Sequence, residues 1–347
     1  MVKTLSISNY KSIRQLDIKA SRVNVFIGEH NSGKSNILEA LSWLSVGTLD
    51  ANTFPEVFRF KNASDFFYDF DATKIVEVRT NELNLGIKYG KSSDGALRNE
   101  FDVLIYNQNL AFDFLNTTDF HNLKGTISDF YYSVLLHSGK LEFRAGFNTS
   151  SQFRTYIFKR IRSFQNSFRP FLNPPFGENI PSLLISNKSY QELVRDLFKS
   201  KGFRLMLKPS EGDISMAKDV NDELYAYPFQ AISETLQRMV FYTLAIESNK
   251  NAILILDEPE ANTFPMYTKQ LAEMMAGDVD NQYFIATHNP YLLSSLVAKT
   301  LVEDLSVFVT SMEGYETTVK KVPTENLAQL LDRGVDAFFN LSKLVED

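Results

Sequence analysis

GEHNSGKS, at residues 28–35, is the stretch that decides the fold, because it matches the pattern G-x-x-x-x-G-K-[ST]. The apolar run RVNVFIG precedes it and predicts a buried strand. SNILEALSWLSVG follows with apolar residues at helical spacing and ends at Gly47, which predicts a helix. A strand, a glycine-rich turn and a helix N-terminus together direct backbone N–H groups at an anion. The sequence therefore predicts a phosphate-binding loop here.

Each residue type in this loop has a chemical reason to be there. Gly28 and Gly33 let the backbone turn tightly around a phosphate. Lys34 supplies a positive charge for the β- and γ-phosphates, and Ser35 offers a hydroxyl ligand for Mg²⁺. The predicted nucleotide contacts are the whole loop and the residue after it: Gly28, Glu29, His30, Asn31, Ser32, Gly33, Lys34, Ser35 and Asn36.

A second motif, ILILDEPE at residues 253–260, predicts a strand buried on both faces that ends in acidic residues. Ligands of open α/β sheets lie at the carboxyl ends of strands, where Asp257 and Glu258 would emerge. Asp257 would hold Mg²⁺, directly or through water, and Glu258 would orient and deprotonate the attacking water. A solvated acidic turn is the alternative for this motif alone, but its combination with the phosphate loop favours the catalytic role.

A third motif, FIATHNP at residues 284–290, predicts another buried strand, with His288 at its end. A neutral imidazole there can both accept and donate a hydrogen bond near the γ-phosphate, as a sensor. A lone histidine at a strand end is usually structural. The two flanking motifs favour the catalytic interpretation in this chain.

The order of GEHNSGKS, SETLQR, LILDEPEA and ATHNPYLL resembles the ABC-class ATPase heads of the SMC/RecF/OLD group, and most of all the compact AAA-15/AAA-21-type ATPases. The opening SISNYKSI also fits that group. The resemblance covers about 1–50 and 228–297, and it is weak in between. Lys34 and Asp257 are 223 residues apart (257 − 34), a separation that suits an ABC head with an inserted lobe.

The resemblance implies a fold, two cofactors and several residue roles. The expected fold is α/β: an ABC-type ATPase head with a mostly parallel RecA-like core sheet, an N-terminal antiparallel β lobe and a helical lobe. ATP and Mg²⁺ are the implied cofactors. Lys34, Glu258 and His288 would be catalytic, with His288 as the switch histidine, and Ser35 and Asp257 would hold the metal.

The signature segment AISETLQR, at residues 231–238, implies contacts between two subunits. In the family, the signature Ser and Gly of one subunit contact the γ-phosphate held by the other. Ser233 is present, but Thr235 stands where a glycine is usual, and its β-branched side chain would hinder close approach to a phosphate. Asn262 is the expected polar contact of the D-loop. Gln165 and Gln108 are both candidates for the Q-loop, and Gln165 is preferred.

The chain is expected to form one ABC-like domain over 1–347. Within it we expect an N-terminal β lobe with the phosphate loop over 1–110 and a mixed or helical inserted lobe over 111–227. The signature helix, the two motif strands and a closing hairpin would occupy 228–347. No segment is long and periodic enough for a coiled-coil arm.

Composition excludes several kinds of site. The 347 residues contain no cysteine, which rules out disulfides, thiolate catalysis and cysteine-based zinc sites. No secretory or membrane-spanning segment is evident, so we expect a cytoplasmic protein without membrane contact. A net charge of −6 argues against a surface devoted to nucleic acid. Residues 151–175 hold five basic residues, no acid and interleaved aromatics, which suits either a nucleic-acid surface or, preferably, inward-packed aromatics with solvated basic residues.

Three functions were weighed on these observations. The leading one is an ATPase that dimerises head to tail around ATP and works in DNA repair or in defence against phage or plasmid DNA. Only 59 residues follow His288 (347 − 288), so a nuclease would have to be a separate effector chain. The second is a regulatory module that holds a toxin or nuclease with little turnover. A GTPase or kinase is disfavoured, because the Asn-Lys pairs at 187–188 and 249–250 lack the Asp of the guanine motif.

Overall fold

A computed structural model describes residues 1–49, 53–91, 97–107, 130–146, 152–199, 201–333 and 341–345. Its strands form three sheets, and its helices pack mostly against one of them. Among the described residues, no helix combines the length and the apolar character that crossing a membrane requires.

The central sheet has six strands, and five of them are parallel. Its order is β16-β15-β3-β14-β13-β9, with only the edge strand β16 antiparallel to its neighbour. This confirms the expected mostly parallel core. The strands are β3 (Val23–Gly28), β9 (Phe153–Tyr156), β13 (Ile253–Asp257), β14 (Gln282–Ala286), β15 (Leu305–Glu313) and β16 (Glu316–Lys321).

Side-chain alternation along these strands divides the interior into two hydrophobic cores. Leu254 and Leu256 of β13 belong to one core, and Ile253 and Ile255 belong to the other. Because a parallel sheet covered on both faces buries every side chain, its strands are continuous apolar runs, as ILIL is in the sequence. The sheet is consequently a firm support for the loops at its carboxyl edge.

Helices cover this sheet on both sides. α1 follows the phosphate loop and packs beside β13 and β14, while α5, α6 and α7 form part of the other core. The helices are α1 (Lys34–Ser42), α2 (Phe54–Val57), α3 (Ile180–Ser186), α4 (Lys188–Lys199), α5 (Glu234–Glu247), α6 (Pro265–Gly277), α7 (Pro290–Lys299) and α8 (Leu327–Arg333).

The expected N-terminal antiparallel lobe is a seven-stranded sheet of order β2-β1-β4-β5-β6-β7-β8. The division by sequence ended this lobe at residue 110, whereas β7 and β8 come later in the chain and extend the same sheet. All but the last residue of β7 are buried, so its sequence lacks the alternation that would have marked it as a strand. The strands are β1 (Thr4–Tyr10), β2 (Ile13–Lys19), β4 (Val76–Thr80), β5 (Leu83–Lys91), β6 (Leu97–Asn107), β7 (Phe130–Leu136) and β8 (Leu141–Gly146).

The third unit combines α3 and α4 with a small antiparallel sheet. That sheet contains β10 (Arg204–Lys208), β11 (Asp213–Val220) and β12 (Glu223–Pro228). Its inner face carries Ile214 and Met216 into the core of the α5 side, while all six residues of β12 are exposed. The sheet therefore overhangs the start of α5, next to the residues predicted to form the signature.

Candidate functional site

The three sequence motifs meet at one edge of the central sheet. β3, β13 and β14 are parallel neighbours in the order β3-β14-β13, so their carboxyl ends lie side by side. The phosphate loop leaves β3, Asp257 ends β13, and His288 follows β14. Residues that are more than 200 positions apart in the sequence consequently surround one cleft.

The phosphate loop borders a cavity of about 340 Å³. Gly33 has φ of 96°, a left-handed conformation that favours glycine, and a Cβ there would lie closer than 3.0 Å to the side chain of Thr317. The loop is thus held from behind by β16. The lining residues are Ser12, His30, Asn31, Ser32, Gly33, Lys34, Ser35, Asn36, Arg59, Glu258, His288 and Met312.

Lys34 is 5% exposed, and its ammonium group lies over the loop. Its Nζ donates to the backbone oxygens of Gly28, at 3.0 Å, and Glu29, at 2.7 Å. Burial lowers the pKa of Lys34 to about 8, against the opposing effect of the carboxylates of Asp257 and Glu258. A phosphate in the cavity would add the negative charge that favours the ammonium form.

Asp257 and Ser35 line a second cavity of about 250 Å³ that adjoins the first at Ser35. The Asp257 carboxylate borders this open cleft but is enclosed by protein on its other sides, so desolvation raises its pKa, and a hydrogen bond with Ser35 opposes the rise. A carboxylate and a hydroxyl beside a phosphate loop are hard oxygen donors of the type that holds Mg²⁺ together with nucleotide phosphates. The residues therefore fit the predicted metal.

Glu258 and His288 face each other across the cleft. The Nε2 atom of His288 lies 3.5 Å from Oε1 of Glu258, and the His288 ring stacks on that of His30 at 4.3 Å between centroids. Burial, with Lys34 and His30 nearby, lowers the pKa of His288, while Glu258 opposes this. The imidazole is accordingly neutral near pH 7, as a group that both accepts and donates must be.

A comparison with protein families settles the class of this chain. The family model described as "AAA domain, putative AbiEii toxin, Type IV TA system" matches residues 23–294, well over half of the chain. This protein belongs to that AAA-21 family. Membership indicates a P-loop ATPase, and it agrees with the resemblance derived from the motifs.

Solved structures similar to this AAA-21 protein include heads of SMC proteins. An SMC head bound to the C-winged helix domain of ScpA has 13% identity and a TM-score of 0.49, covering 93% of this chain and 98% of that one. The SMC head domain from Thermotoga maritima has 16% identity and a TM-score of 0.40, with coverage of 93% and 99%. An SMC head from Pyrococcus furiosus, bound to the C-terminal domain of ScpA, has 13% identity and a TM-score of 0.46, with coverage of 96% and 98%. No protein with a curated description matches the sequence.

Arg59 is a residue of the AAA-21 site that the motifs did not reveal. It lines both cavities, its Nη2 donates to Oδ1 of Asn36 at 3.1 Å, and its Nε forms an ion pair with Glu39 at 3.1 Å. Glu39 is buried and also accepts from Tyr10 Oη at 2.9 Å. One arginine in the segment FRFKN has no sequence pattern of its own, so only the three-dimensional arrangement identifies it.

The signature residues lie outside the phosphate cavity of their own chain. Ser233 caps α5 by accepting from the N–H of Leu236. The Thr235 hydroxyl donates to the backbone oxygen of Asn262 at 3.2 Å, and the Asn262 amide donates to Glu234 at 3.2 Å. Thr235 thus ties the signature helix to the loop predicted as the D-loop, which gives this departure from glycine a bonding role.

Neither glutamine considered for the Q-loop is placed in the cleft by the structure. Gln165 is exposed, lines neither cavity of the site, and donates its backbone N–H to the oxygen of Glu178 at 2.8 Å. Gln108 lies outside the described residues. At the carboxyl end of β9, beside Asp257, the cavity is instead lined by Thr155 and Ile157.

The basic segment 151–175 of this AAA-21 protein uses much of its charge internally. Arg160 pairs with Glu234 at 3.1 Å, Lys159 pairs with Glu56, and the Arg154 guanidinium lies 3.5 Å from the centroid of the Phe171 ring. These contacts favour the interpretation in which aromatic and basic residues pack against the protein itself.

Glu260 links the loops that carry Glu258 and His288. It is 4% exposed, and its Oε1 accepts a hydrogen bond from the Thr287 hydroxyl, which in turn accepts from the N–H of Asn289 at 2.9 Å. Its Oε2 is buried without a hydrogen-bond partner. The two catalytic loops are therefore joined through one buried carboxyl group.

Proposed function

We propose that this protein binds ATP and hydrolyses it with Mg²⁺, and that two copies close head to tail around the nucleotide. The observation that carries this proposal is the convergence of Lys34, Asp257, Glu258 and His288 at one edge of the sheet. A P-loop lysine alone would fit any nucleotide-binding protein. An acid pair and a histidine beside it suit attack of water on a terminal phosphate.

The groups of this chain divide the work of hydrolysis. Lys34 and the N–H groups of the loop hold the phosphates in place. Ser35 and Asp257 would hold Mg²⁺, which neutralises charge on the phosphates when bound. Glu258 orients the attacking water and accepts its proton, and neutral His288 can hold the γ-phosphate or the water through its free ring nitrogen.

The dimer is proposed because the site in one copy is open on the side that faces solvent. Glu258 and Asn31 of the cavity are exposed, so water reaches the cleft freely. Ser233 and the N-terminus of α5 point away from this cavity in their own chain, yet they offer a hydroxyl and N–H groups of the kind that bind phosphate. A second copy would supply them and exclude water, and hydrolysis would reopen the pair.

Two variants test the ATPase proposal. Lys34→Ala should abolish or greatly weaken ATP binding, because it removes the charge on the β/γ-phosphates. Glu258→Gln should keep ATP binding, lose hydrolysis by at least about a hundredfold and accumulate an ATP-bound dimer. Glu325→Gln, an exposed glutamate far from the motifs in sequence, is the matched control and should behave as wild type. Unchanged hydrolysis in Glu258→Gln, or only monomer at every ATP concentration, would contradict the proposal.

We place the activity in defence, with a separate effector, because the description of the family contains a putative toxin and a toxin–antitoxin system. DNA is a further possible partner. DNA binding measured with and without ATP at several salt concentrations tests it, since phosphate contacts weaken steeply with salt. The alternative of a regulatory module with little turnover would be favoured by ATP binding without hydrolysis, even with effector and DNA present.

A further inference from the structure

A cavity of about 700 Å³ lies beside the signature, separate from the phosphate cavity. We call it the signature cavity. Ser233 and Thr235 form one side, the overhanging β10–β12 sheet forms another, and the start of α6 forms a third. Its chemistry is set by two lysines and four aromatic rings: Lys201, Lys218, Phe203, Tyr227, Phe264 and Tyr267.

The signature cavity is adapted to an acidic and aromatic occupant. The residues described as lining it include no carboxylate, although the whole chain has a net charge of −6. Lys201 Nζ lies 5.3 Å from the centroid of the Tyr267 ring, while Phe264 is 67% exposed. Exposed rings next to unneutralised ammonium groups are expected where a partner covers them.

A segment with the complementary chemistry lies at the tip of the β15–β16 hairpin. The turn consists of Gly314 and Tyr315, with φ of 55° and 67°, and the acids Glu313 and Glu316 flank it. Tyr315 is 90% exposed. A bulky residue at positive φ is disfavoured, and Tyr315 gains no burial in exchange within its own chain. The turn holds this ring away from the protein, with one carboxylate on each side.

The hairpin tip and the signature cavity lie at the same edge of the central sheet. β15 runs parallel to β3 as far as Thr310 beside Gly28 and then continues past the phosphate loop, where Met312 lines the phosphate cavity. The signature helix is tied to the loop after β13 through Thr235 and Asn262. The tip therefore flanks the phosphate cavity, and the signature cavity flanks Ser233.

We propose that the hairpin tip of each copy docks into the signature cavity of a second copy in the ATP-bound dimer. The proposal rests on the proposed head-to-tail pairing, in which Ser233 of one copy lies over the phosphate loop of the other. Two-fold symmetry then brings the feature beside one phosphate loop to the feature beside the opposite signature, twice per dimer. Tyr315 enters between the aromatic walls, and Glu313 and Glu316 meet Lys201 and Lys218.

Cysteine crosslinking tests this contact directly, because the chain has no cysteine of its own. In the Glu258→Gln background, a Tyr315→Cys copy is mixed with an Ala231→Cys copy and treated with a short bis-maleimide. Ala231 lines the signature cavity and is small and exposed, so cysteine is tolerated there. We expect a covalent dimer that requires ATP. Val279→Cys replaces Ala231→Cys in the control, since Val279 is 72% exposed but precedes β14 at the opposite edge of the sheet.

The size of the complex separates the two proposals. If ATP yields a dimer in which Tyr315→Cys crosslinks no better to Ala231→Cys than to Val279→Cys, the docking is wrong and the ATPase dimer stands. If ATP yields no dimer at all, the head-to-tail pairing is wrong and the docking falls with it.

A second measurement does not depend on crosslinking. Tyr315→Asn keeps a residue that tolerates positive φ, and it should weaken ATP-dependent dimerisation by about tenfold without changing ATP affinity of the monomer. Lys218→Glu should weaken it similarly, and Glu313→Lys in the opposite copy should restore part of the loss. Dimerisation unaffected by Tyr315→Asn and by Lys218→Glu would overturn the proposal.

Discussion

Replacing Glu260 by glutamine should make the stability of this protein less dependent on pH. Glu260 is buried between the loops of Glu258 and His288, and one of its oxygens has no hydrogen-bond partner. Burial, with repulsion from Glu258 and Asp257, raises its pKa from 4.5 to about 7, although the hydrogen bond from Thr287 opposes the rise.

The sign of the effect follows from where the proton is held. Between pH 4.5 and about 7 the folded protein keeps a proton that the unfolded chain has lost, so stability falls as the pH rises through this window. Above it, the ionised group costs about 3 kcal/mol, from (7 − 4.5) pKa units at about 1.36 kcal/mol each. At pH 5 only about 1 kcal/mol of that cost is present. Glutamine never ionises, so the stability of the variant relative to wild type should rise by roughly 2.5 kcal/mol between pH 5 and pH 8.

Urea unfolding at pH 5, 6, 7 and 8, without nucleotide or Mg²⁺, measures this difference. The titration of Asp257, which is also raised, occurs in both proteins and largely cancels. Glu325→Gln, at an exposed position, is the control and should show no such trend. If the stability difference between Glu260→Gln and wild type stays constant across this range to within about 0.5 kcal/mol, the carboxyl is not held protonated and the reasoning fails.

Two further results are expected at the phosphate loop. Gly33→Ala places a Cβ at φ of 96° against Thr317, so ATP binding should be lost while circular dichroism shows the fold retained; ATP affinity within about threefold of wild type would contradict the crowding. ATP binding at pH 8 should take up about half a proton, because the pKa of Lys34 is about 8 in the free protein and phosphate raises it. Calorimetry in buffers of different ionisation enthalpy measures the uptake, and a binding enthalpy independent of buffer would refute it.

The sequence predicts the three loops of the site because each is a local pattern. GEHNSGKS, ILILDEPE and FIATHNP each join a buried apolar strand to polar residues within a few positions, and the parallel sheet then brings the strand ends together. Lys34, Asp257 and His288 are accordingly found where the motifs predict.

The remaining parts of the site depend on contacts between distant segments. Arg59 reaches the cleft through Glu39 and Asn36, and neither its neighbours nor its spacing indicate this. β7 was missed because burial on both faces removes the alternation of a surface strand. Gln165 was chosen by residue type and approximate position, and the described structure places Thr155 and Ile157 at the matching strand end instead.

The contact of Thr317 with Gly33 has a consequence for how the molecule is made. The phosphate loop is translated early, yet the side chain that backs it comes from a position 284 residues later (317 − 33), and β14 and β15, which flank β3, also come near the end. During synthesis, β3 therefore waits with both of its hydrogen-bonding edges unsatisfied until nearly the whole polypeptide has emerged. A nascent chain halted before residue 282 has no neighbour for β3 in this sheet and cannot yet grip a nucleotide. Competence for ATP thus arises late in translation, so a truncated product would not compete for the ligand.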